Sequence, residues 1–327
     1  MVRVKINSSH AEELKVLTVT LNPALDRTVY LPFFNPGKTN LVYKSTVEAG
    51  GKGVNVSKAL NQLEISNCAT GVLPAWGANI YLRSLHEMGV TTHFLQMENG
   101  QVRENIKIIE ESSGTLTELN EKGNQVSRDT VLNFLDLFHR IIPNYQAIAL
   151  SGSLAPGIPF TMYRQLIEIA TTMNLVTALD CSESALQEAL ISNPPHPTIV
   201  HINRHELKAL NVDFKAKQLF EWIQHRNIQW FVITDGAKSG WAVCPEKVYR
   251  FTPPIIKAVS PVASGDALTA ALIQGCLQRK TFDESLRLAI AFATATALCP
   301  GSTISTLETA LSYCNEVRIK PELNDKT

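Results

Sequence analysis

Apolar and polar positions along the chain follow two alternating rhythms. "VLTVTL" from Val16 is a short continuous apolar run of the kind that makes a buried strand. "VNVSKALNQLEI" from Val54 spaces its apolar residues as a helix does, and "NCATGVL" from Asn67 reads as a strand again. A helix over residues 77–88 follows. The middle of the chain repeats the order with "YQAIALSG", a helix from Thr161, "LVTALD", a helix from Ser184, "PTIVHIN" and "WFVITDG". Strand and helix in alternation predict an α/β fold with a parallel sheet. Open sheets of this kind bind ligands outside the carboxyl ends of their strands, so Asp26, Ser151, Asp180, Asn203 and Thr234 are expected on one rim.

Two segments break the alternation: "RTVYLPFFNPGKTNLVYKSTVE" from Arg27 and "THFLQMENGQVRENIKIIEESSGTLTEL" from Thr92. Both are strand-like with turn signals between. They are expected to pair as a small antiparallel sheet over the rim, a lid drawn from about residues 27–49 and 92–119. Residues 16–315 form the expected domain, after a polar leader at 1–15 and before a tail at 316–327.

Composition narrows the partner. A chain of 327 residues with 45% hydrophobic content has ample material for one large domain. Lysine plus arginine equals aspartate plus glutamate at 30 each, so no net field recruits nucleic acid or an anionic membrane, and a small molecule is the expected partner. The 6 cysteines are scattered, which fits a reduced cytoplasmic protein. Residues 1–15 lack the apolar run of a signal peptide, and "LAIAFATATALCP" from Leu288 is too short to span a bilayer and reads as a buried helix.

Chemistry concentrates in short stretches. "EAGGKGVNVSKAL" at residues 48–60 sets glycines and Lys52 before a helix, an arrangement whose free amides attract an anion. "PFFNPGKT" ends like a P-loop, but Pro32 stands where the first glycine belongs and no helix follows; "GGKGVN" lacks the third glycine of a dinucleotide fingerprint. In "SPVASGDALTAALIQGCLQRK", Ala263, Ser264 and Gly265 precede Asp266 at a helix start. Their amides suit phosphoryl oxygens and Asp266 suits a proton acceptor, with a helix cap as the competing reading. Asn203 and Glu206 in "NRHEL" fit either a hydrated Mg²⁺ or a capping box. Asp26 and Ser151 fit sugar hydroxyls or ordinary turns, and Lys38 and Arg103, one in each lid segment, fit a substrate phosphate or plain solvation.

Taken in order, "TLNPALD", "GGKGVNV", Arg103, "SGSLAPG", "NRHEL", "TDGAKSG" and "SGDA" resemble the ribokinase-like sugar kinases of the phosphofructokinase-B branch, from about Leu17 to the helix after Gly301. "TLNPALD" and "GGKGVNV" are similar to 1-phosphofructokinase and tagatose-6-phosphate kinase. The resemblance implies a ribokinase-like three-layer α/β/α fold with a mostly parallel central sheet and a small β-sheet lid that pairs two subunits as a homodimer. It implies ATP- and Mg²⁺-dependent phosphorylation of a hydroxymethyl group of a ketohexose phosphate, fructose 1-phosphate first, then tagatose 6-phosphate or fructose 6-phosphate. Asp266 would be the general base, in an anion hole of Ala263, Ser264 and Gly265. Asp26, Gly50, Gly51, Lys52, Asn55 and Ser151 would meet the sugar, and Lys38 and Arg103 its phosphate. His201, Asn203, Thr234 and Gly236 would lie on the nucleotide side, with Asn203 and Glu206 toward the metal.

The chain departs from the family pattern at four places. His201-Ile202-Asn203 replaces Lys-Pro-Asn, which makes a cation at the nucleotide phosphates absent or pH-dependent. Ala263-Ser264-Gly265-Asp266 replaces Gly-Ala-Gly-Asp, Ser239 stands where glycine is usual, and Ala267 where serine is usual. His201 and Ala263 motivate a rival reading, a sugar-phosphate-binding regulator with lost or weak turnover; Asp266, Asn203 and Glu206 argue against it.

Overall fold

The computed structural model describes residues 14–181, 183–191, 193–210 and 215–324. Residues 1–13 of the expected leader lie outside that set. The strands are β1 (Lys15–Thr20), β2 (Ala24–Leu31), β3 (Lys44–Gly50), β4 (Ser66–Leu73), β5 (Thr91–Gln96), β6 (Arg103–Glu110), β7 (Thr115–Asn120), β8 (Ala147–Ser151), β9 (Val176–Asp180), β10 (Ile199–Asn203), β11 (Trp230–Asp235), β12 (Lys238–Cys244), β13 (Lys247–Thr252) and β14 (Arg318–Asn324). The helices are α1 (Lys52–Gln62), α2 (Ala78–Glu87), α3 (Arg128–Ile141), α4 (Met162–Thr172), α5 (Glu183–Ile191), α6 (Arg204–Ala209), α7 (Ala216–Gln224), α8 (Ser264–Leu277), α9 (Phe282–Thr296) and α10 (Leu307–Tyr313).

The central sheet runs β14-β13-β12-β11-β10-β9-β8-β1-β4-β5, parallel from β11 to β5 and antiparallel beyond β11. Period-2 alternation divides its residues between two cores. In β1 and β8, Leu17, Val19, Ile148 and Leu150 face the core shared with α3 and α4, while Val16, Ala147 and Ala149 face the core shared with α1, α8 and α9. The small alanines on the second face let α1 and α8 lie close to the sheet. Helix α8 is buried from Asp266 to Gly275, which explains its lack of a polar stripe. It packs so closely on α9 that a Cβ at Gly275 would lie 2.1 Å from Ser285 Oγ.

A second sheet of four strands, β3-β2-β6-β7, forms the lid. Its outer pairs are antiparallel, as expected, but β2 and β6 pair in parallel because both enter the lid from the central sheet. The expected lid segment from Thr92 is shortened, since β5 is the edge strand of the central sheet. Most of the expected tail also belongs to the fold: β14 pairs with β13 and extends the opposite edge. Among the described residues no helix is long and apolar enough to cross a membrane, and the cysteines are free thiols.

Candidate active site

The glycines around the start of α1 first serve the protein's own packing. A Cβ on Gly50 would lie 2.4 Å from Asp26 Cγ, and one on Gly53 would lie 2.3 Å from Thr20 Oγ1. Gly51 takes φ 114°, which favours glycine. Gly50, expected against the sugar, is absent from the wall of the cavity described below, and Asp26 occupies the space beside it.

Where the strand ends meet the underside of the lid lies a cavity of about 680 Å³. One half is polar, under Asp26, Arg103, Asn105, Lys107, Glu118 and Asn120; the other is apolar, lined by Phe251, Ile256, Val262, Leu268, Ile290 and Ala293. A side pocket of about 230 Å³ shares Gly51, Lys52, Arg103 and Glu206 with it. Thr20 and Ser151 line that pocket, and their buried hydroxyls have no hydrogen-bond partner among the described residues. Of the residues expected at the site, Gly50, Lys38 and Ser151 are absent from the wall of the main cavity, and Ser151 lines the side pocket. Lys38 is exposed in the turn between β2 and β3, so the structure does not bring it to either cavity.

In the lid, Asp26 accepts from Asn105 Nδ2 at 2.9 Å and from Lys107 Nζ at 2.8 Å. Asp26 therefore sits within β2, in register with Asn105, and not at the tip of the first strand. Arg103 donates to the carbonyls of Asn22 and Glu121 and to Asn105 Oδ1. Its burial lowers its pKa, against the pull of Asp26. Asn105 and Lys107 line the cavity beyond the expected residues, and Arg103, Asn105 and Lys107 sit two apart along β6 and so share one face.

The charged centre gathers Lys52, Asp180, Glu206 and Asp266. Lys52 Nζ lies 2.7 Å from Asp180 Oδ1 and 4.0 Å from Glu206 Oε1, and Asp180 Oδ2 lies 3.2 Å from His201 Nδ1. Asp266 Oδ2 accepts from Asn55 Nδ2 at 2.9 Å. Burial pushes the Asp266 carboxyl up, the Asp180 charge pushes it further, and Lys52, Asn55 and His201 oppose, leaving it at about 7. Burial alone would raise Asp180 too, but Lys52 and His201 outweigh it and hold Asp180 well below the usual carboxylate range. Burial would lower Lys52, yet Asp180, Asp266 and Glu206 hold it above an ordinary lysine. Two buried carboxylates pushed apart in this way suit different roles, one as a permanent charge and one as a proton acceptor near neutrality.

Asp266 is not the cap of α8. The N-cap is Ala263, at φ 61° and with no side-chain capping bond. A Cβ in this left-handed conformation costs about 1–2 kcal/mol, which glycine would avoid. Gly265 is demanded by a neighbour, because a Cβ there would lie 2.8 Å from His201 Cε1. The amides of Gly265 and Asp266 open the first turn of α8 beside the cavity, where helix N–H groups lack an intrahelical acceptor.

On the other side, Asn203 and Glu206 form the capping box. Asn203 Oδ1 accepts from the amides of His205 and Glu206, and Glu206 Oε2 from the amide of Asn203, leaving Glu206 Oε1 toward Lys52. Among the described residues no group of three or more His, Cys, Asp or Glu side chains is arranged to hold a metal. Glu206 Oε1, 4.0 Å from Lys52, fits Mg²⁺ only in its usual manner, mostly hydrated and carried by a substrate's phosphates. His201, expected on the nucleotide side with its cation absent or pH-dependent, is a buried residue, 5% exposed, and both ring nitrogens point to protein partners. Thr234 and Gly236 lie on the cavity wall.

Residues 19–310 match the model of the pfkB family of carbohydrate kinases. The fold is similar to that of a protein described as a possible 1-phosphofructokinase from Thermotoga maritima, at 25% identity and TM-score 0.85, covering 94% of this chain and 100% of that one. It is similar also to phosphofructokinase-2 from Escherichia coli, at 23% identity and TM-score 0.83, covering 93% of this chain and 98% of that one. A carbohydrate kinase from Agrobacterium tumefaciens matches at 18% identity and TM-score 0.73, covering 94% and 100%. With nearly the whole chain inside the family match and a buried aspartate at the helix start that faces its cavity, the chain belongs to the pfkB family of carbohydrate kinases.

Proposed function

We propose that this kinase transfers the γ-phosphoryl group of ATP to a hydroxymethyl group of a ketohexose phosphate, with Asp266 as general base. Fructose 1-phosphate is the first candidate, followed by tagatose 6-phosphate and fructose 6-phosphate. The observation that carries the reading is the place of Asp266. It is bonded to Asn55 beside the polar half of the cavity and follows Val262 and Ala263 of the nucleotide half, so it stands where two substrates would meet.

The polar half suits a hydroxylated, charged sugar. Arg103 and Lys107 supply cations, Asp26 and Asn55 acceptors and donors, and the unpartnered Ser151 and Thr20 hydroxyls further bonds. The apolar half suits a nucleotide base. In the reaction, the sugar oxygen forms its bond to the γ-phosphorus as the bond to the bridging oxygen breaks, and ADP leaves with that electron pair. The hydroxyl proton passes to the Asp266 carboxylate, whose raised pKa suits it as acceptor near neutrality. The amides of Gly265 and Asp266 face the charge on the equatorial oxygens, and Lys52, held by Asp180, adds a fixed positive charge. Mg²⁺ bound to the nucleotide would neutralise phosphate charge beside Glu206 Oε1.

A homodimer through the lid is supported by the apolar residues exposed there, including Leu41 at 84% and Phe33 at 64%, with Tyr43 and Leu119. Lys38 sits in the same turn, so its route to a sugar phosphate is across such an interface. Free thiols agree with a cytoplasmic setting. The test is a panel of sugar phosphates and free sugars with ATP and Mg²⁺, read by ADP release. Turnover of fructose 1-phosphate above the other sugars is expected. A free sugar outperforming every sugar phosphate would reject the substrate class.

A further inference from the structure

His201 replaces a lysine of the family pattern, and its surroundings define what the imidazole does. Three elements converge on the ring: β9 through Asp180, β11 through Thr234, and α8 through Thr269 and Gly265. Nδ1 lies 3.2 Å from Asp180 Oδ2 and 3.3 Å from Thr269 Oγ1. The Thr269 hydroxyl donates to the Gly265 carbonyl at 3.0 Å, so its proton is committed and its oxygen is left to accept. Both groups facing Nδ1 are thus acceptors, which places the ring proton on Nδ1. Nε2 of the neutral ring then carries a lone pair and takes the Thr234 hydroxyl proton across 3.2 Å. Thr234 therefore turns its proton into the protein and its oxygen lone pairs toward the cavity it lines. In that state it accepts a hydrogen bond from a hydroxyl or a water and cannot donate one to a phosphate oxygen.

The same ring supports the helix that carries Asp266. Gly265 lies against His201 Cε1 so closely that a Cβ has no room, Thr269 meets the adjacent Nδ1, and the bond from Thr269 to the Gly265 carbonyl links these two turns of α8 to each other. We propose that His201 is a positioning residue of the phosphoryl-transfer site: its ring holds the first turn of α8 against the ends of β9 and β11, and it fixes Thr234 as a hydrogen-bond acceptor toward the cavity. This rests on the phosphoryl-transfer reading for its kinetic consequence, while the orientation of Thr234 stands apart from it. A lysine at this position has donors alone and no acceptor for the Thr234 proton, so the exchange of lysine for histidine changes the polarity that Thr234 presents to a ligand.

Two measurements test this. The first is nitrogen-detected NMR of the histidine-labelled protein at pH 8, with the His201 signals assigned by their loss in His201→Gln. A single ring proton on Nδ1 is expected; a proton on Nε2 overturns the orientation of Thr234. The second is steady-state kinetics of His201→Leu, His201→Asn and His201→Gln with the sugar phosphate that the wild type phosphorylates fastest. Misplacing the anion-binding turn should lower kcat of the leucine variant about 10- to 100-fold, with the sugar-phosphate KM changed by less than about threefold. Asparagine can restore the donor toward Asp180 and glutamine the acceptor toward Thr234, so each should recover part of kcat. Wild-type kcat in the leucine variant, or a loss that neither amide relieves, overturns the positioning role. If the leucine variant does not fold, the two amides against the wild type decide the same question. A wild type that phosphorylates no sugar phosphate overturns the substrate reading, and the NMR result still decides which atom Thr234 shows to the cavity.

Discussion

Lys107 Nζ lies 2.8 Å from Asp26 Oδ2, and both side chains are buried beneath the lid, one on β6 and the other on β2. Removing one partner of such a pair leaves a buried charge uncompensated, at a cost of about 3–5 kcal/mol. Lys107→Met should therefore destabilise the protein by about that amount in urea unfolding, and Asp26→Asn in the same chain should recover part of the loss. Unchanged stability in the single variant would show that the lid does not depend on this pair.

Asp266→Asn keeps the shape and the bond to Asn55 within reach, but it cannot take a proton. Turnover is expected to fall by about 10²- to 10⁴-fold, the usual scale for a general base, with the sugar-phosphate KM nearly unchanged. Near-normal kcat would remove Asp266 from the base role.

The carboxyl of Asp266, raised to about 7, makes activity pH-dependent in a stated direction. The ionised form is the base, so kcat/KM should rise with pH through about 7 and level off above it. Asp180 pushes this carboxyl up and Lys52 pushes it down. Asp180→Asn should then move the midpoint to lower pH and Lys52→Met to higher pH. Shifts in the same direction for both variants would contradict the electrostatic account.

Arg103 keeps guanidinium donors available at the wall shared by the main cavity and the side pocket, after its bonds to Asn22, Asn105 and Glu121. A charge-assisted bond is worth about 1.5–3 kcal/mol, so Arg103→Ala should raise the sugar-phosphate KM about 10- to 100-fold and leave the ATP KM nearly unchanged. Equal loss for both substrates would point to lid collapse in place of phosphate binding.

Leu41, 84% exposed on the lid, tests the dimer. A glutamate there places a charge in the proposed interface, and Leu41→Glu should shift the protein to monomer in analytical ultracentrifugation. A wild type that sediments as a monomer at micromolar concentration would reject the interface directly.

Much of the site was legible because its residues announce themselves locally. Asp266 follows three small residues at a helix start, and Asn203 and Glu206 carry capping-box spacing. That same spacing left cap and metal site unresolved, and the structure shows the cap formed. Period-2 spacing puts Asn105 and Lys107 on the face of Arg103, but they stayed hidden because no local pattern says which face of β6 turns to the cavity. Lys38 is expected at the substrate phosphate from the family resemblance; within one chain its turn is exposed and Lys38 is absent from the cavity wall.

By itself the sequence determined the order of strands and helices, the parallel character of the main sheet and the presence of a separate lid, since these follow from the local period of apolar residues and from turn chemistry. Tertiary structure alone decided that β2 and β6 run parallel, that β14 completes the sheet, and that Asp26 fills the space beside Gly50. It also decided the proton affinities at the centre. Asn55 and Asp266 are 211 residues apart in the chain, and Lys52 and Asp180 are 128 apart. A carboxyl's pKa depends on burial and on the charges within a few ångströms of it, and no local pattern records which distant residues will supply them.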